Sequence, residues 1–177
     1  VAAVPSPSAS IVSLAFTAAP GINVSGGRDD TGGQSASWAY DASNPSRVVG
    51  AESAESLDRR AITVDGATVP TKLSDLVVET GNTVNNLKPV HGIVINASDG
   101  ITLSNVKVVN GTGRNPTGVL VTGGSEVTIK DSDINSGAPL QAVPSDPANR
   151  SAYGIRVLGD SDLHVLGGKV TSAGGLS

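Results

Sequence analysis

Between residues 92 and 170 short runs of aliphatic residues alternate with polar ones, and the runs recur. Gly92-Ile93-Val94-Ile95 is followed by Ile101-Thr102-Leu103 and Val106-Lys107-Val108. Gly118-Val119-Leu120-Val121 is followed by Val127-Thr128-Ile129 and Ser132-Asp133-Ile134, and Gly154-Ile155-Arg156-Val157 by Leu163-His164-Val165 and Gly168-Lys169-Val170. Aligned on the opening glycine, the three passages need no gap. Six positions separate Ile95 from Ile101, Val121 from Val127 and Val157 from Leu163, and five separate Leu103 from Val108, Ile129 from Ile134 and Val165 from Val170. A fixed internal spacing of this kind marks a repeat architecture.

Period-two alternation predicts three short strands in each unit. The turn residues between them are Ala97-Ser98-Asp99-Gly100, Gly123-Gly124-Ser125 and Gly159-Asp160-Ser161. No helical stretch of ten residues intervenes, so the unit is not a strand–helix–strand crossover. One unit cannot bury its own apolar positions, whereas stacking equivalent strands in parallel buries them as ladders. The pattern places Ile93, Ile95, Ile101, Leu103, Val108 and their equivalents inward. Asn96, Thr102, Lys107, Thr128, Lys130, Asp133 and His164 face outward.

Gly92 to Gly118 spans 26 residues and Gly118 to Gly154 spans 36, so the shared core is separated by loops. The first loop is expected from Asn110 to Thr117. The second, from Ser136 to Tyr153, contains Pro139, Pro144 and Pro147, and its length predicts a protrusion. Residues 61–90 read as a degenerate rung with Ile62-Thr63-Val64 and Leu76-Val77-Val78 as strands. Residues 1–60 are rich in Ala, Ser and Gly, and Glu52–Leu57 is their one helix-like turn. They are expected to form an irregular, partly disordered cap over the first coil, because an open stack presents unpaired strand edges. Two parts follow: a capping region over 1–60 and coils over 61–177. Gly175-Leu176-Ser177 restarts the Gly-apolar-polar opening 21 residues after Gly154. The chain therefore reads as a segment of a longer solenoid, truncated at its C-terminal side.

Composition narrows the reading. Of 177 residues, 38% are hydrophobic and 2% aromatic, so aliphatic side chains rather than rings must build the core. The aromatics are Phe16, Trp38, Tyr40 and Tyr153. A net charge of −4 without a basic stripe excludes a nucleic-acid partner. Cysteine is absent, which removes disulfides, thiolate nucleophiles and cysteine-based zinc sites. No apolar run approaches the ~18 residues of a membrane helix. Ile11–Ala19, broken by Ser13 and Thr17 and without preceding basic residues, is not an intact signal peptide.

The Gly-Ile/Val-x-Val/Ile openings, the alternating second strands and Leu166-Gly167-Gly168-Lys169-Val170-Thr171-Ser172 resemble the pertactin-like passengers of bacterial autotransporters. The resemblance covers about residues 91–177. It implies an all-β, right-handed parallel β-helix, secreted or displayed at the bacterial cell surface. A C-terminal outer-membrane barrel elsewhere in the parent chain would anchor it. It also implies a non-enzymatic virulence role, as an adhesin or a binder of host cell-surface or serum proteins.

The chemistry-bearing residues fit that reading. Polysaccharide lyases and tailspike-like glycosidases also use β-helices, and this carbohydrate-active class is the alternative. Such enzymes need paired carboxylates. Glu126 and Asp162 occupy the same repeat position, where Gly100 stands in the first unit, and Asp131 and Asp133 lie two apart. All four are expected as solvated residues. His91 and His164 lack the partners of a metal site, and no nucleophile elbow or phosphate-binding loop is present. No catalytic residue, metal or cofactor is assigned. Four Asn-x-Ser/Thr triplets, at Asn23, Asn96, Asn110 and Asn149, are chance matches in so Asn-, Ser- and Thr-rich a chain. Trp38 and Tyr40 are expected to pin the cap to the first coil. The candidate contact region is the insertion 136–153, with Leu140, Pro144 and Arg150 as its test residues.

Overall fold

The computed structural model describes residues 14–17, 24–25, 28–29, 39–40, 46–50, 59–82, 89–139 and 151–173. Every regular element among them is a strand. The strands are β1 (Leu14–Thr17), β2 (Val24–Ser25), β3 (Arg28–Asp29), β4 (Ala39–Tyr40), β5 (Ser46–Gly50), β6 (Arg59–Asp65) and β7 (Thr71–Thr80). They continue with β8 (Pro89–Asn96), β9 (Ile101–Asn110), β10 (Arg114–Thr122), β11 (Glu126–Asn135), β12 (Tyr153–Val157) and β13 (Asp162–Thr171). No described helix is long and apolar enough to cross a membrane.

Two parallel sheets hold all but β3 and β4, which pair with each other in antiparallel fashion. Sheet A runs β1-β6-β8-β10-β12. Sheet B runs β13-β11-β9-β7-β2, with β5 also paired to β7. From β6 onward the chain alternates between the sheets, and each return adds a strand beside the last of that sheet. The pairing begins before residue 60, because β1 lies parallel to β6 and β2 and β5 lie parallel to β7.

The register follows the repeat. Ile95 pairs with Val121 and Val121 with Val157, in one column with Val64. Ile62, Ile93, Val119 and Ile155 form the neighbouring column. In sheet B, Leu73, Leu103, Ile129 and Val165 align, as do Val78, Val108, Ile134 and Val170. Both sheets contribute to a single aliphatic core, in which these residues are 1% exposed or less up to Val121, Ile129 and Ile134.

The second and third strands expected in each unit are one ten-residue strand with a corner inside it. Asp75, Asn105 and Asp131 stand in register at that corner with φ of 59°, 53° and 45°, and Gly167 continues the column at 85°. Asn, Asp and Gly are the residues that tolerate this left-handed conformation. Asn105 Nδ2 donates to Asp75 Oδ1 at 2.8 Å, so the corner side chains bond along the stack. The first loop is also shorter than expected. Asn110 ends β9 and Arg114 already belongs to β10, because that segment extends the pairing with β8 as far as Pro89, across a register shift between Arg114 and Thr117.

Gly92, Gly118 and Gly154 lie within the sheet A strands, where a β-carbon on each would meet Val108, Ile134 and Val170 of sheet B respectively. A β-carbon on Gly118 would lie 2.5 Å from Ile134 Cγ2 and 2.5 Å from the Gly154 carbonyl oxygen. The interior has no room there for a side chain from both sheets.

Polar groups at the turns bond from one strand's turn to the next. The Ala67 amide donates to Ser98 Oγ, the Ser98 amide to Ser125 Oγ and the Ser125 amide to Ser161 Oγ, at 3.0–3.1 Å. Each hydroxyl in turn donates to a carbonyl of its own turn, from Asn96, Thr122 and Leu158. The result is a serine ladder along the turns that lead from sheet A to sheet B.

Candidate functional site

The insertion between β11 and β12 leaves and re-enters the stack through anchored stems. On the outgoing side Ser136 is fully buried; its amide donates to the Thr171 carbonyl at 3.0 Å and its hydroxyl accepts from the Ala173 amide at 3.0 Å. The Gly113 amide donates to the Ala138 carbonyl at 3.1 Å, and Gly113 and Pro139 form a parallel bridge. On the returning side Ser172 Oγ donates to the Ala152 carbonyl at 2.6 Å, and Tyr153 starts β12 in register with Thr117. The insertion is therefore held at both ends by the rungs around it. Leu140, Pro144 and Arg150 lie outside the described residues, as do Trp38 and the turn Glu52–Leu57.

Two residues at the returning stem were not singled out by the sequence. The Arg156 guanidinium carbon lies 4.9 Å from the centroid of the Tyr153 ring, a cation–π arrangement. Both are half-buried. Arg156 ends the sheet A column that reads Thr63, Val94, Leu120, Arg156, in which Val94 is buried and the other three are half-buried. The signal in the sequence was weak, because Arg156 merely fills an outward strand position and Tyr153 precedes the repeat's opening glycine.

The carboxylate positions resolve individually. Glu126 and Asp162 are register partners at the starts of β11 and β13, and both are exposed. Strand spacing puts their backbones about 4.8 Å apart. Asp131 is exposed at the left-handed corner, and Asp133 is exposed between Lys107 and Lys169, its partners on either side. These flanking lysines make Asp133 part of an alternating surface charge ladder.

The histidines are separated by fold. His91 is buried in β8 of sheet A, whereas His164 is exposed on β13 of sheet B. Among the described residues no group of three or more His, Cys, Asp or Glu stands together to hold a metal ion. Asn110, one of the Asn-x-Ser/Thr positions, is buried and donates through Nδ2 to the Thr117 carbonyl at 2.6 Å, so it is engaged inside the stack. Arg47 and Glu79 form an ion pair on sheet B. Their partial exposure makes it a minor contribution.

The chain therefore offers an anchored insertion, a Tyr–Arg pair at its root and a solvated carboxylate pair on the other sheet. No protein-family model, no curated protein and no solved structure matches this chain.

Proposed function

We propose that the two parallel sheets are faces of a right-handed parallel β-helix and that the chain is a passenger segment of a bacterial autotransporter. Connections between parallel strands are right-handed in about 98% of cases, which supports the hand. In this reading the protein is secreted and displayed at the cell surface through a C-terminal outer-membrane barrel. It is non-enzymatic, and the stack acts as a rigid scaffold that presents the 136–153 insertion to a host cell-surface or serum protein.

The observation that carries the proposal is the anchoring of both stems of one long insertion onto the neighbouring rungs, through Ser136 on one side and Ser172 and Tyr153 on the other. Loops held by rigid scaffolds are where binding residues concentrate. The test replaces residues 140–150 with a short Gly-Asn linker. Far-ultraviolet circular dichroism verifies the fold, and adsorption to cultured host cells and immobilised serum proteins measures binding. Loss of binding with the strand spectrum retained supports the proposal; unchanged binding overturns it.

The register pairing of Glu126 with Asp162 favours one second reading, a carbohydrate-active β-helix. A reducing-end assay on mixed polysaccharides distinguishes the two. Activity that disappears in both Glu126→Gln and Asp162→Asn would replace the binding role by catalysis.

A further inference from the structure

Strand β10 enters its sheet through an irregularity. Its register with β8 shifts between Arg114 and Thr117, and Asn115 and Pro116 occupy the shift. Asn115 has a φ of 42°. Among the described residues the left-handed positions other than glycine are Asp75, Ala97, Asn105, Asn115 and Asp131, and of these Asn115 alone precedes a proline. Proline pushes the residue before it towards extended conformations, so the backbone here is strained and is held by the strands around it. Thr117 is fully buried, and its hydroxyl donates to the Asn115 carbonyl oxygen at 3.1 Å. The Thr117 carbonyl accepts from Asn110 Nδ2 at 2.6 Å, which ties it to the end of β9.

We propose that the Asn115–Pro116 peptide bond is a self-cleavage site, broken by the Asn115 side-chain amide. Asn115 Nδ2 attacks its own backbone carbonyl carbon and closes a cyclic imide. The bond from that carbon to the Pro116 nitrogen breaks, and the nitrogen takes the proton that Nδ2 loses. The products are residues 1–115, ending in the imide, and residues 116–177, beginning with a free proline amine. Atoms balance without a co-reactant, and water later opens the imide to asparagine and isoasparagine ends. Three features converge on this bond. Pro116 has no N–H, which closes the competing reaction, attack of the following amide nitrogen on the asparagine side chain with loss of ammonia. The Thr117 hydroxyl is aimed at the oxygen on which negative charge develops. The strain before the proline is released when the bond breaks. Elsewhere the features occur apart. In Val69-Pro70-Thr71 the Thr71 hydroxyl donates to the Val69 carbonyl at 3.1 Å, but valine offers no nucleophile. Asn105 is left-handed, but valine follows it. Cleavage nicks the stack without dividing it, because β10 keeps its pairs with β8 and β12 from Thr117 onward and β11 keeps those with β9.

This inference is independent of what the insertion binds. The test incubates the purified chain at mildly alkaline pH, folded in buffer or unfolded in concentrated urea, and follows it by intact-mass spectrometry. Cleavage at Asn115–Pro116 is expected to run about tenfold or more faster in the folded chain. The fragment masses should sum to that of the whole chain, or exceed it by a water with isoasparagine among the new C-terminal ends. Thr117→Val is expected to slow cleavage about tenfold or more, and Thr117→Ser to restore it. Pro116→Ala should exchange cleavage for deamidation of Asn115, because its N–H reopens the competing attack. Asn115→Gly adopts the left-handed conformation without the nucleophile and should not cleave. Absence of cleavage in the folded chain, or equal rates folded and unfolded, overturns the proposal. So do fragments ending only in asparagine, as a protease leaves them, and cleavage that survives Asn115→Gly. The folded-against-unfolded comparison uses the natural chain alone, so it decides the matter even where a variant fails to fold.

Discussion

At Gly118 a single hydrogen atom decides how close two sheets can come. A methyl group there meets the Ile134 side chain and the Gly154 carbonyl, both 2.5 Å from the β-carbon position, and the carbonyl belongs to a paired strand that cannot yield cheaply. Gly118→Ala is therefore expected to destabilise the protein by about 1–3 kcal/mol, the usual cost of overpacking a core. A urea unfolding midpoint measures it, and a midpoint unchanged from the natural chain would contradict the close approach. Ser125 makes the converse case. Its hydroxyl accepts from the buried Ser98 amide and donates to the Thr122 carbonyl. Ser125→Ala leaves both groups without that partner, and a loss of about 1–3 kcal/mol is expected by the same measurement. The glycine was legible in the sequence as the anchor of the alignment. The reason for it was not, because that reason is a distance to another sheet.

The ten-residue strands of sheet B show how an element can hide from pattern reading. Ile101 and Leu103 alternate in one phase, and Val106 and Val108 in the other. A slip of one position ordinarily signals the end of a strand, since it sends the side chains to the opposite face. Here Asn105 turns the chain through the left-handed region, so that both phases face the same interior. The slip is the corner itself, and the second and third short strands of each unit are two halves of one. A β-branched residue is excluded from that conformation more strongly than glycine. Asn105→Val is expected to cost about 1–3 kcal/mol. Asn105→Gly should cost less than the valine change, since glycine adopts the left-handed conformation freely and the loss is confined to side-chain bonding such as that to Asp75. Equal unfolding midpoints for the two variants would show that the corner carries no conformational demand.

For the whole molecule, the parallel stack was legible because stacking is the only way so short and aromatic-poor a unit buries its aliphatic residues. The insertion was legible as a departure from the repeat spacing, but Leu140, Pro144 and Arg150 were chosen from composition alone, and no periodicity constrains residues that fall between two units. The Tyr153–Arg156 pair escaped notice because its geometry depends on where the returning stem joins β12. The stack also predicts a gradient of sensitivity. Ile129→Ala removes a buried column member and is expected to cost about 2–5 kcal/mol. Val165→Ala, one rung along the same column and half exposed, should cost under about 1 kcal/mol. Comparable losses would mean that the last rung is as well covered as the interior. The central claim, that residues 26 or 36 apart in sequence are nearest neighbours in register, is tested most directly by thiol bridging. The natural chain has no cysteine, so introduced pairs report alone. Lys107→Cys with Asp133→Cys, and Asp133→Cys with Lys169→Cys, place thiols on strands about 4.8 Å apart, within the Cα span of about 4.4–6.8 Å that a disulfide bridges. Both pairs are expected to oxidise in high yield without loss of the strand spectrum, whereas Lys107→Cys with Asn135→Cys, two positions out of register, should remain reduced. Bridging of the offset pair at the expense of the in-register pairs would contradict the stack.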